Sequence, residues 1–194
     1  MEINLLRHGR PAIDTSERIV PAEFHAWMAR YDEAGVSDRP PPYAISASGQ
    51  CQYIVCSDLL RSTHSAELLG VAVDLADAIF REAGLPSFRW AGPKLHAGKL
   101  SLLARMAWVC GYSLHCETSG VARSRAGKCA ERLIELALSH QQVLLIGHGM
   151  MNRLIGEALR KRKWRSVRAD KVNRYWGLSP ILVMLPHDCC DAPS

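Results

Sequence analysis

Long apolar runs are missing from this 194-residue chain: no stretch approaches the roughly 20 residues that cross a bilayer, and Glu2, Arg7 and His8 stand where a secretory signal would be apolar. A cytoplasmic protein with no membrane partner is expected. Metal-binding and disulfide patterns are missing too. The seven cysteines (51, 56, 110, 116, 129, 189 and 190) form no C-x-x-C pair and have no histidine at zinc-knuckle spacing, so they read as reduced thiols. There is no internal repeat and no low-complexity tract. Neither sign of charge dominates, since a net +5 suits an anionic substrate as well as a weak nucleic-acid contact. What is present is an ordinary globular composition, 48% hydrophobic and 22% charged, at a length that buries a substantial core. One α/β domain over residues 1–194 is the expectation.

Periodicity sketches the elements. Met1 to Leu6 reads as a strand stopped by the turn-forming Gly9 and Pro11. Phe24, Trp27, Met28 and Tyr31 recur at helical spacing between Pro21 and Ala34. Pro40 to Pro42 reads as a stiff linker. Residues 16–45 thus form a helical insertion able to act as a lid over a site. Tyr53 to Cys56 is rich in strand formers, Ser65 to Leu69 looks helical, and a further strand is expected over Ala78 to Glu82. The clearest helix runs from Val121 to Ser139, where Ala122, Ala126, Cys129, Ala130, Leu133 and Ala137 make one apolar stripe. Val143 to Ile146 reads as a parallel strand covered on both faces. Met151, Leu154, Ile155, Ala158 and Leu159 predict a helix directly after Gly147-His148-Gly149, and Ile181 to Leu185 a last strand. Strands alternating with amphipathic helices imply a layered α/β fold with a mostly parallel sheet.

Three loops after predicted strands carry cations: Arg7-His8-Gly9, Ser57 to Arg61, and Gly147-His148-Gly149. In a parallel sheet such loops share the edge where ligands bind. Arginine's planar donors match phosphate oxygens, and the helix after His148 presents a positive dipole end, so the cluster reads as a phosphate site. The motifs Leu5-Leu6-Arg7-His8-Gly9, Ser57-Asp58-Leu59-Leu60-Arg61-Ser62-Thr63-His64-Ser65-Ala66 and Ile146-Gly147-His148-Gly149 resemble, in order and separation, those of the histidine phosphatase superfamily, also called phosphoglycerate-mutase-like. The resemblance spans about residues 2 to 159. It implies a three-layer α/β/α sandwich, a phosphohistidine intermediate on His8, phosphate contacts from Arg7, Arg61 and His148, and no metal or other cofactor.

The expected activity is removal of a phosphoryl group from a small phosphorylated metabolite or from protein phosphohistidine. One carboxyl group can protonate the leaving alcohol and later activate water. Glu82, after Phe80-Arg81, resembles the family's acid at an Arg-Glu step; the chain departs from the usual pattern in continuing Ala83-Gly84-Leu85-Pro86. Asp14, Asp58 and Glu117 are the alternative acids. A mutase is the competing enzyme, disfavoured by Pro11 and Asp14 at positions where mutases carry a hydroxyl residue and an asparagine. A non-catalytic phosphate-binding module is the competitor from another class. His64 is assigned a peripheral role. The basic run Arg160-Lys161-Arg162-Lys163, with Arg165 and Arg168, reads as a solvated helix end rather than a nucleic-acid footprint. Trp27, Tyr31, Trp90 and Trp108 read as core aromatics, with a substrate-pocket border as the alternative.

Overall fold

The computed structural model describes residues 1–166 and 174–183. Its main sheet contains β1 (Glu2–Arg7), β3 (Tyr53–Cys56), β4 (Leu75–Ala76), β6 (Gln142–Gly147), β7 (Trp164–Ser166) and β8 (Leu178–Val183), in the order β4-β3-β6-β1-β8-β7. The four strands from β4 to β1 run parallel, while β8 and β7 complete an antiparallel edge. A separate two-stranded ribbon joins β2 (Arg18–Ile19) to β5 (Leu95–His96).

Strand side chains alternate between two cores, as the pleat demands. Ile3, Leu5, Val55, Val143 and Leu145 pack with α5 (Ser119–His140) and α6 (Gly149–Lys161). Leu6, Ile54, Cys56, Leu144 and Ile146 pack on the other side with Ala44 of α2 (Pro42–Gln50) and with Ala66 and Leu69 of α3 (Leu60–Leu69). Helices on both faces make the three-layer α/β/α sandwich expected from sequence. A third cluster joins α1 (Phe24–Asp32) to α4 (Ala97–Val109) through Phe24, Trp27, Leu100 and Ala104.

Several local expectations are corrected. The prolines do not form a linker throughout: Pro42 opens α2, because its fixed φ suits a first helical turn, whose N–H groups lack intrahelical partners. Residues Ala78 to Glu82 are not a strand. The strand is Leu75–Ala76, after which the Asp77 carboxylate accepts the Ile79 N–H at 2.9 Å and turns the chain into a 3-10 helix over Ala78–Phe80. Helix α3 starts five residues before Ser65. Helix α4 escapes the periodicity reading because Leu102, Leu103, Met106 and Val109 are exposed, leaving no polar contrast to the buried Leu100 and Ala104. The last strand begins earlier, at Leu178, and Met184 and Leu185 lie outside the described residues, as do Arg168, Cys189 and Cys190. No described helix is long and apolar enough to cross a membrane.

Candidate active site

The C-terminal ends of β1, β3 and β6 lie side by side: Arg7 is in register with Gly147, and Cys56 with Ile146. Backbone bonds carry this alignment past the strands, from His8 N–H to Gly147 O (3.0 Å) and from Ser57 N–H to Ile146 O (3.3 Å). The three cation-bearing loops therefore emerge together at one sheet edge. Two glycines permit the crowding there. A Cβ on Gly9 would lie 2.4 Å from Val36 Cγ1 and 2.5 Å from the Trp176 ring, and one on Gly149 would lie 3.3 Å from the Arg7 guanidinium carbon.

His8 and His148 meet edge to face, with ring centroids 5.0 Å apart, and both are buried. The Nδ1 of His8 lies 2.7 Å from the Gly9 carbonyl oxygen, which can only accept; Nδ1 therefore carries the proton and Nε2 keeps a lone pair. His148 Nε2 is 3.4 Å from Ser62 Oγ, while its Nδ1 is buried with no hydrogen-bond partner among the described residues. Burial, then the Arg61 charge and more weakly that of Arg7, hold the His8 imidazole well below its ordinary pKa; the Gly9 carbonyl opposes them. His148 is lowered by burial first, then by His8, Arg61 and Arg7. Two neutral rings thus stand beside fixed cations.

Arg61 is 1% exposed, at the start of α3, and its Nη1 donates to Asp32 Oδ1 at 3.0 Å. Its guanidinium also lies 4.8 Å from the Tyr31 ring centroid, and its Nε has no partner among the described residues. Arg7 lies over the Tyr175 ring at 4.4 Å. Ser65 locks the loops together, donating to Arg61 O (2.6 Å) and accepting from Gly9 N–H (3.0 Å).

Glu82 reaches the first turn of α6. Its Oε1 accepts the Ala83 and Met151 N–H groups, both at 2.9 Å, and Oε2 accepts that of Met150 at 3.1 Å. The helix end assigned by sequence to an anion thus directs two of its donors at this carboxylate. Oε2, with a single donor, retains room for a proton. Arg125 of α5 secures the segment by donating to Ile79 O (2.6 Å), Arg81 O (2.8 Å) and Glu82 O (3.4 Å) while paired with Glu117. The alternative acids are otherwise engaged or exposed: Glu117 with Arg125, Asp58 with Arg81 through two 2.6 Å bonds, and Asp14 on the surface with Ser16. His64 accepts the Val36 N–H at 3.0 Å, the peripheral placement expected.

Arg7, Arg61, Glu82 and Tyr175 line a cleft of about 1150 Å³, together with Trp27 and Tyr31 of α1 and Arg105 of α4. Of the four aromatics weighed from sequence, Trp27 and Tyr31 border the cleft, Trp108 is core, and Trp90 is exposed. Tyr175, Asp32 and Arg105 escape the sequence reading, and Arg125, which helical periodicity puts on the outward face of α5, instead pairs with Glu117 and lines the cleft; each reaches the site from a segment distant in sequence from the three motifs. Among the described residues no three His, Cys, Asp or Glu side chains are grouped to hold a metal ion.

No family model and no curated protein matches the chain. Solved structures do. The product of open reading frame Rv3214 of Mycobacterium tuberculosis aligns with a TM-score of 0.56 at 21% identity, over 79% of this chain and 77% of its own. A mycobacterial glucosyl-3-phosphoglycerate phosphatase aligns with a TM-score of 0.52 at 22% identity, over 82% and 79% of the two chains. A putative alpha-ribazole-5'-P phosphatase of Escherichia coli gives 0.54 at 16% identity, over 84% and 80%. The likeness is one of fold, and the fold of this chain is the phosphoglycerate-mutase-like α/β/α sandwich to which its sequence motifs pointed.

Proposed function

We propose that the chain is a histidine phosphatase that hydrolyses phosphomonoesters through a phosphohistidine on His8, without a metal. The observation that carries this reading is the placement of His8: a buried imidazole whose Nδ1–H is pinned to the Gly9 carbonyl, leaving the lone pair on Nε2, with His148 beside it and the charges of Arg61 and Arg7 acting on it; the two rings lie behind the cleft lining, to which Arg7, Arg61 and Glu82 belong. A neutral ring nitrogen is the form that attacks phosphorus, and fixed cations stabilise charge on the equatorial oxygens of the transition state. In the first step the Nε2–P bond forms, the bond from phosphorus to the leaving oxygen breaks, and Glu82 gives that oxygen a proton. In the second, water attacks phosphorus, Glu82 takes its proton, the P–N bond breaks, and inorganic phosphate departs. The 2% exposure of His8 favours a substrate whose phosphate enters the cleft, hence a small metabolite over a bulky phosphoprotein surface.

The test is hydrolysis of p-nitrophenyl phosphate in EDTA, with His8→Ala as control. Metal-free turnover and an acid-labile, alkali-stable phosphoenzyme are expected, both absent from H8A. An unlabelled protein, or H8A turning over at the wild-type rate, would falsify the nucleophile. Dependence on a bisphosphate primer would assign a mutase instead, and binding of phosphate without turnover a non-catalytic module.

A further inference from the structure

Two serines of α3, about one helical turn apart, reach the two imidazole loops. Ser65 has its hydroxyl engaged on both sides, donating to Arg61 O at 2.6 Å and accepting from Gly9 N–H at 3.0 Å. Ser62, next to Arg61 in the chain, is fully buried, and its Oγ has a single partner among the described residues, His148 Nε2 at 3.4 Å. The contact is long for a hydrogen bond, yet no other described acceptor competes for the hydroxyl proton. His148 is enclosed as completely: the ring is buried, Nδ1 has no partner among the described residues, and His8 lies edge to face with it at 5.0 Å.

The protons of this pair can be assigned by counting what each arrangement strands. With the ring proton on Nε2, that nitrogen donates to Oγ; the hydroxyl proton then has no acceptor and the Nδ1 lone pair no donor. With the ring charged, the hydroxyl proton is stranded again, and a further cation is buried among charges already acting on the ring, those of Arg61 from α3, Arg7 from β1 and Arg125 from α5. With the ring proton on Nδ1, the hydroxyl donates to the Nε2 lone pair and only Nδ1–H is left unmatched. Each unmatched buried polar group costs free energy, so the last arrangement is favoured. The partner of one ring nitrogen decides where the proton of a neutral imidazole sits, and here that partner is Ser62.

We propose that Ser62 is a positioning residue: its hydroxyl, donating to His148 Nε2, fixes the ring as the Nδ1–H tautomer and so makes His148 a neutral hydrogen-bond donor. The tautomer does not depend on any reaction. Its part in turnover rests on the phosphatase reading, in which the Nδ1 proton is the one that His148 has to offer a phosphoryl oxygen while Nε2 is held by Ser62. A lone pair on Nδ1 would repel that oxygen.

The experiment reads the tautomer directly, by long-range proton–nitrogen correlation of the full chain carrying nitrogen-15-labelled histidine, at a pH above the ordinary imidazole pKa. The His148 ring is assigned by its loss in His148→Ala. In wild type, Nδ1 is expected to resonate as a protonated nitrogen and Nε2 as an unprotonated one. In Ser62→Ala, which removes one oxygen, the pattern should average or reverse. Turnover of p-nitrophenyl phosphate by S62A should fall by about tenfold or more in kcat, the scale on which losing the partner that orients a functional imidazole acts, with KM changed less. A wild-type ring with its proton on Nε2, or on both nitrogens, overturns the proposal without any variant at Ser62. So does an S62A ring that keeps the proton on Nδ1, whatever its stability or rate, since that outcome leaves Ser62 a packing residue. An altered tautomer with undiminished kcat overturns the role in positioning. A wild type with the expected pattern that turns over no phosphomonoester sinks the phosphatase reading and leaves the Ser62–His148 assignment standing.

Discussion

Arg61 Nη1 stands 3.0 Å from Asp32 Oδ1, so a cation proposed to hold phosphate is already partly neutralised by a carboxylate from α1. The arginine side chain is 2% exposed and the aspartate 47%, so the aspartate side is screened by solvent and the pair adds little stability. Stacking on Tyr31 and the long contact to its carbonyl at 3.5 Å keep the guanidinium oriented without Asp32. Asp32→Asn should therefore lower KM for p-nitrophenyl phosphate by about three- to fivefold at low salt, the scale of a half-exposed pair, and the gain should shrink as salt rises. A raised KM would show instead that Asp32 aims Arg61.

Glu82→Gln separates proton transfer from phosphoryl transfer. General acid catalysis contributes about 10²- to 10⁴-fold when the leaving group is poor. The variant should lose that much on alkyl phosphates and much less on p-nitrophenyl phosphate, whose leaving group needs no proton. Equal losses on both esters would confine Glu82 to holding the start of α6 through Met150 and Met151.

The two buried imidazoles make stability pH-dependent in a defined direction. Both His8 and His148 have folded pKa values well below the unfolded value near 6.5. Below about pH 6.5 the unfolded chain binds protons that the folded chain does not, so stability falls as pH drops, by up to about 1.4 kcal/mol per pH unit for each ring, and is unaffected by them above. Urea denaturation between pH 7.5 and 5 should show the fall, and His148→Ala should flatten it. An H148A curve with the wild-type slope would exclude His148 as a contributor.

Arg125 tests the frame around the acid. Replacing it with Met strands Glu117 and three carbonyl groups at a mostly buried node, at a cost of about 2–4 kcal/mol in chemical denaturation. Alkyl phosphate turnover should fall further than p-nitrophenyl phosphate turnover if Glu82 is displaced, and Lys should restore part of both. A loss of stability with an unchanged ratio of the two activities would make Arg125 structural only.

Legibility depends on where each signal resides. Strands β3 and β6 and helices α5 and α6 could be seen in sequence because they are buried on one stripe or both faces, which forces a periodic pattern. Helix α4 has an apolar outer face as well, and Pro42 reads equally as a linker or a first turn, so local pattern could not resolve either. The segment at 75–82 misled because its strand is two residues long and a single Asp77 side chain diverts the chain immediately beyond it.

Read residue by residue, the chain already specifies its alternation of strands and helices and the three motifs bearing Arg7, His8, Arg61 and His148, because hydrophobic period and turn chemistry are local properties. Three-dimensional packing alone settles that Glu82 caps α6, that Asp32 answers Arg61, and that Arg125 holds the Ile79–Glu82 segment by its carbonyl groups. The Glu82 and Asp32 pairings join residues from 29 to 69 positions apart. Such contacts depend on how whole elements pack, and packing leaves no periodic trace in the chain.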